Sequence, residues 1–103
     1  MSSFLPSARL RVGHELFMVQ TGREPSDWKP MSQVGAGACE LRVRDNAGAF
    51  RVIYVAKFAD AIYVLHAFQK KAQKTAQADL DLAERRYREA QLLAKESIRG
   101  KGQ

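Results

Sequence analysis

The apolar residues change period twice along the chain, and that change limits what it can fold into. Leu5, Ala8, Val12, Leu16 and Val19 recur at spacings of three and four, one apolar stripe on a helix over Phe4–Gln20. Ser3 is placed to cap it, Pro6 suits its first turn, and Gly22 ends it. From Glu40 the period drops to two: Leu41 and Val43 alternate with Glu40, Arg42 and Arg44. Asp45-Asn46-Ala47-Gly48 is a turn signal, and Phe50–Lys57 reads as a second strand. Ala59-Asp60 marks another tight turn, and Ala61–Phe68 reads as a third strand. From a cap at Thr75 the helical period returns, with Leu80, Ala83, Tyr87, Ala90 and Ala94 striping a helix to about Ile98. Arg99 to Gln103 are expected to fray. The pattern predicts an α+β fold. An antiparallel meander of about three strands carries an N-terminal helix and a long C-terminal helix, packed against one face.

At 103 residues the chain supports one core, so residues 1–103 form a single domain. Arg23 to Gly37 reads as a connector holding Pro25, Pro30, Gly35 and Gly37, long enough that it must pack across the surface. Trp28 is its expected anchor, because a Trp covers a large area from one position.

Seventeen Lys and Arg against eleven Asp and Glu leave a net charge of +6, which makes a polyanion the first partner to consider. Residues 70–103 hold 9 of the basic and 5 of the acidic residues, so the last third carries most of the field. No apolar run approaches the ~18–20 residues of a membrane span, and the opening Met1-Ser2-Ser3-Phe4-Leu5-Pro6 is too short for a signal peptide. Cys39 stands alone, so a disulfide framework and a multi-thiolate zinc site are both ruled out. The expected location is the cytoplasm. His14 and His66 are far apart and form no metal-binding motif, and neither a phosphate-cradling glycine loop nor a nucleophile elbow is present. No metal or cofactor is expected.

What remains is a basic, aromatic set around the strands. Arg42 and Arg44 share a face, Arg51 opens the second strand, His66 and Phe68 share a face late in the third, and Lys70, Lys71 and Lys74 follow. In a meander the end of the first strand, the start of the second and the end of the third meet, so Arg44, Arg51, Phe68 and Lys70 are expected to converge. Arg and Lys hold phosphates, and an aromatic ring stacks on an unpaired base. The same set suits RNA cleavage by the substrate's own 2′-hydroxyl. Arg51 would stabilise the crowded phosphorus, His66 would exchange protons, and Lys70 or Lys71 would neutralise phosphate. Each residue also has an ordinary reading. His66 and Phe68 suit a core or strand edge, the arginines and the 70–74 run suit a solvated face, and Glu40 suits an exposed structural position more than a base. Cys39 is read as incidental, and Tyr54, Tyr63 and Tyr87 as packing.

Several stretches taken together resemble a known family. They are Asp27-Trp28-Lys29-Pro30-Met31, Glu40-Leu41-Arg42-Val43-Arg44, Gly48-Ala49-Phe50-Arg51-Val52-Ile53-Tyr54, and Tyr63-Val64-Leu65-His66-Ala67-Phe68-Gln69-Lys70-Lys71 followed by Gln73-Lys74-Thr75. Their order and spacing are similar to the phage-derived, HigB-like branch of the RelE/ParE toxin superfamily, over about residues 4–95. The resemblance implies the toxin of a type II toxin–antitoxin pair, partnered by a small helix-turn-helix antitoxin. It implies a ribosome-dependent endonuclease that cuts mRNA in the ribosomal A site. On this likeness Arg51 matches the strand arginine that contacts the scissile phosphate. Lys70 and Lys71 match the basic residues after the last strand, and Arg42 and Arg44 match basic positions on the preceding strand. His66 and Phe68 match a motif of the branch. The branch usually carries a further amino-terminal strand, whereas this sequence opens near its first helix, so an uncovered sheet edge is expected. Two other readings stand beside this one: a ParE-like toxin that inhibits gyrase, and a catalytically inactive phage-derived protein that binds nucleic acid or a partner.

Overall fold

The computed structural model describes residues 6–45, 48–58, 61–70 and 76–101. Helix α1 spans Pro6–Gln20. Strands β1 (Trp28–Pro30), β2 (Ala38–Asp45), β3 (Gly48–Phe58) and β4 (Ala61–Lys70) follow, and helix α2 spans Gln77–Lys101. The expected α+β fold is present. The proposed caps Ser3 and Thr75 and the turn residues Asn46, Ala47, Ala59 and Asp60 lie outside the described residues.

The strands form one antiparallel sheet in the order β1-β2-β3-β4, four strands where the sequence suggested about three. The additional strand is hidden in the connector. Trp28, Lys29 and Pro30 pair with Leu41, Glu40 and Cys39, and three residues are too few to show a period. Gly37, at a φ of 80°, supplies the left-handed step that turns the chain back into β2.

The two helices cover opposite faces, which corrects the expectation that they share one. Strand β3 shows why, since Arg51 to Val55 are all buried. Phe50, Val52 and Tyr54 join Leu41 and Val43 under α1, packed against Val12. Ile53 and Val55 point the other way and join Ala38 and Leu65 against Ala83, Tyr87 and Ala90 of α2. A central strand that is apolar on both sides needs a layer on each. The alternation seen in β2 alone concealed this.

The connector is held at three points. Glu15 of α1 is buried and accepts from Ser26 through its backbone N–H (2.9 Å) and its hydroxyl (2.8 Å). Met31 and Val34 sink into the α2 core. Tyr87 donates its hydroxyl to the Ala36 carbonyl at 2.6 Å and lies flat over Gly35, where any Cβ would strike its ring. Trp28 is only half-buried, so it does not anchor the connector as expected; Met31, at 1% exposure, does. Among the described residues no helix is long and apolar enough to cross a membrane.

Met31→Ala is expected to cost ~2–5 kcal/mol, the range for truncating a fully buried Met, with Trp28→Ala costing clearly less. Equilibrium unfolding in urea gives the order, and a larger loss for Trp28→Ala would restore the Trp as anchor.

Candidate nucleic-acid interface

Residues paired across a ladder share a face, so the register lays out the site in rows. Arg42 stands opposite Arg51, and Arg51 opposite Phe68. In the next row Arg44 and Lys70 flank Ala49. On the other side Lys29 faces Glu40, Glu40 faces Ile53, and Ile53 faces His66. Arg44, Arg51, Phe68 and Lys70 are therefore brought onto one face, as the sequence reading expected, and Arg42 and His66 join them there. Lys71 and Lys74 lie outside the described residues.

His66 reaches that face through a β-bulge. Ile53 pairs with His66 but Tyr54 pairs with Val64, so Leu65 has no opposite number on β3. In an unbroken strand Leu65 and His66 would point to opposite faces. With the bulge, Leu65 packs under α2 and His66 still aligns with Ile53 on the same side. Arg86 of α2 holds the kink by donating Nη1 to the Leu65 carbonyl at 3.0 Å.

Glu40 is the centre of the charges. It has no exposure at all, against the expectation of an exposed position. Its Oε1 lies 3.3 Å from Arg42 Nε and 3.6 Å from Arg51 Nε. Wholly buried and held by two cations, this carboxylate positions the arginines. Arg51 is itself only 7% exposed, and its Nη1 donates to the Phe50 carbonyl at 3.1 Å. Its Nε is buried without a hydrogen-bond acceptor among the described residues. Such a group costs ~1–3 kcal/mol and persists where the structure or the function requires it. Burial lowers the Arg51 pKa, Glu40 opposes that, and Arg42 and Arg44 add to it. Desolvation also lowers the Lys70 pKa, reinforced by the charges of Arg51, Lys29 and Arg42 against that of Glu40. Among the described residues Lys29, Arg42, Arg44, Arg51 and Lys70 thus share this face with two acids that act on Arg51, Glu40 and Asp27, an excess of positive charge that an anionic oxygen would relieve.

The aromatic part sits beside them. The His66 and Phe68 rings stack with centroids 4.9 Å apart and 21° between planes. His66 Nε2 lies 2.7 Å from Asp79 Oδ1, in the first turn of α2. Among the described residues no group of three or more His, Cys, Asp or Glu side chains is placed to hold a metal ion. Sequence reasoning missed Lys29 and Asp79. Lys29 was legible only if Trp28–Pro30 had been read as a strand. Asp79 carried no signal beyond an acid in a helix's first turn.

Fold and charge together define a small α+β domain with a cationic cluster built on one sheet face. Residues 1–88 match the family of phage-derived Gp49-like proteins (DUF891), and the chain belongs to that family, which is one of RelE/ParE-like toxins associated with toxin–antitoxin pairs. No curated protein and no solved structure matches the chain.

Glu40→Gln should destabilise the fold by roughly 3 kcal/mol, the lower part of the range for breaking a buried ion pair because Arg42 is one-third exposed. Adding Arg51→Met should recover at least half of that loss. Urea denaturation of both variants checks it, and an unchanged midpoint for Glu40→Gln would remove the carboxylate from its structural role.

Proposed function

We propose that this protein is the toxin of a type II pair in the HigB-like branch and a ribosome-dependent mRNA endonuclease. One observation carries the reading: Arg42, Arg44, Arg51 and Lys70 share one sheet face, with Arg42 and Arg51 held by Glu40 and with His66 and Phe68 on the same face. In the proposed reaction the 2′-oxygen of the message attacks the adjacent phosphorus. The bond to the 5′-oxygen breaks, leaving a 2′,3′-cyclic phosphate and a 5′-hydroxyl end. The 2′-hydroxyl loses a proton and the departing 5′-oxygen gains one.

Arg51 acts on the phosphate, because its guanidinium is already fixed by Glu40 and the Phe50 carbonyl and has little left to reorganise. Arg42, Arg44 and Lys70 hold neighbouring phosphates, joined in this proposal by Lys71 and Lys74. Phe68 offers a ring for an unpaired base. His66 moves the proton. With Nε2 engaged by Asp79, the exchange is assigned to Nδ1. The partner in this reading is a helix-turn-helix antitoxin, and the site of action is the ribosomal A site in the cytoplasm.

Mapping message 5′ ends in a translating extract tests it, with wild type, Arg51→Ala and His66→Gln side by side. The expected outcome is cuts at A-site codons, reduced at least a hundredfold by Arg51→Ala and about tenfold or more by His66→Gln, in line with losing an electrostatic stabiliser and an acid–base group. A folded wild type that arrests growth without new message ends, with DNA damage signalling instead, would favour gyrase inhibition.

The Lys70 shift gives a second test. Because its pKa is lowered, Lys70 loses its charge at lower pH than an ordinary lysine. RNA affinity at constant ionic strength should therefore start to fall early on the alkaline side, and Lys70→Arg should move that fall to higher pH. An identical alkaline limb in the variant would take Lys70 out of the interface.

A further inference from the structure

Helix α1 is apolar on two sides. Val12, Leu16 and Val19 face the sheet. On the opposite side Leu10 is 77% exposed and Phe17 59%, one heptad apart. Gly13 and His14 lie between them on the same outward stripe, three and four residues on from Leu10. No heavy atom stands within 4 Å of where a Gly13 Cβ would be, so the stripe has a bare floor between two large side chains. A helix with large apolar side chains on two opposite sides has a second face on which to pack.

The charge around the stripe is of one sign. Arg9 and Arg11 are both exposed, and at helical spacing they fall on its two flanks. The one acid within α1, Glu15, is buried and bound to Ser26. We propose that the outward face of α1 docks an amphipathic helix of a partner protein, its apolar ridge seated on Leu10, Gly13 and Phe17 and its flanks carrying Asp and Glu against Arg9 and Arg11. A second copy of this chain is the poorer occupant: its own α1 has no exposed acid to set beside Arg9 and Arg11, since Glu15 is buried against Ser26. The helix-in-groove mode needs anchors at i, i+3 and i+7, and this face supplies their complement. The surface lies across the sheet from Arg51, so the docked helix leaves the cationic face uncovered.

The proposal does not depend on RNA cleavage. The probe is the product of the reading frame adjoining this gene, purified with the full chain as a complex and titrated calorimetrically. Three forms are compared: wild type, Leu10→Ser/Phe17→Ser and Arg9→Glu/Arg11→Glu. All four side chains are exposed, so thermal unfolding of each variant should match wild type. The expected result is a Kd at least tenfold weaker for each double variant, with the salt dependence of binding lost in the charge-reversed one. The isolated chain should sediment as a monomer. Wild-type affinity in both variants, failure of the wild-type chain to bind, or a wild-type dimer dissolved by Leu10→Ser/Phe17→Ser would each overturn it. Loss of binding in these variants with no message cleavage by wild type would retain the docking surface and reject the endonuclease; the reverse pattern would reject the surface alone.

Discussion

Glu40 is a carboxylate sealed from water in the middle of a sheet, and the register of the strands follows from it. A buried charge is tolerable only with opposite charge and hydrogen bonds close by. Here Arg42 and Arg51 supply the charge from two adjacent strands, and Arg42 also donates a hydrogen bond from Nε. A slip of one residue would turn Glu40 into the layer under α1, beside Val12 and Val52, and push Leu41 to the other face. The ionic group on one face and the apolar ladder on the other thus enforce the same pairing. The arginines gathered by this arrangement are the ones that the proposed chemistry uses, so the stability of the sheet and the presentation of its cations rest on one side chain.

The division of labour between the faces follows from where each helix lies. Helix α1 covers the face with Val43, Phe50 and Val52, and α2 covers the part of the other face around Ala38, Val55 and Leu65. The far end of that second face, carrying Arg42, Arg44 and Lys70, retains its charges. The bulge at Leu65 joins the two regions: Leu65 belongs to the core and His66, the next residue, to the charged end. Asp79 in the first turn of α2 then fixes the imidazole from the helix side.

Local pattern made part of this legible. The helical stripes through Val12 and through Ala83, Tyr87 and Ala90 were readable because each obeys one period over several turns, and the convergence of Arg44, Arg51, Phe68 and Lys70 followed from meander geometry. What escaped depended on partners distant in sequence. The strand at Trp28–Pro30 exists because β2 pairs with it. Glu40 looked like a surface acid because a charge within an alternating strand is ordinarily exposed, and its burial is decided by Arg42 and Arg51 together. The second apolar face of β3 was hidden by the polar face of β2. Trp28 is the anchor that size alone suggests, whereas depth is set by the path of the connector beneath Tyr87, which buries Met31.

The bulge has one more consequence, for how the molecule behaves in company. A β-sheet with open sides recruits further strands, and in crowded solution that route ends in aggregates. At β4 the Leu65 kink interrupts the row of backbone groups, and Arg86 already occupies the carbonyl there. At the other side β1 is three residues long, carries Lys29 and ends in Pro30, which has no N–H to offer. Among the described residues neither side presents a continuous template for strand addition, so stacking of copies into fibrils is disfavoured by backbone geometry.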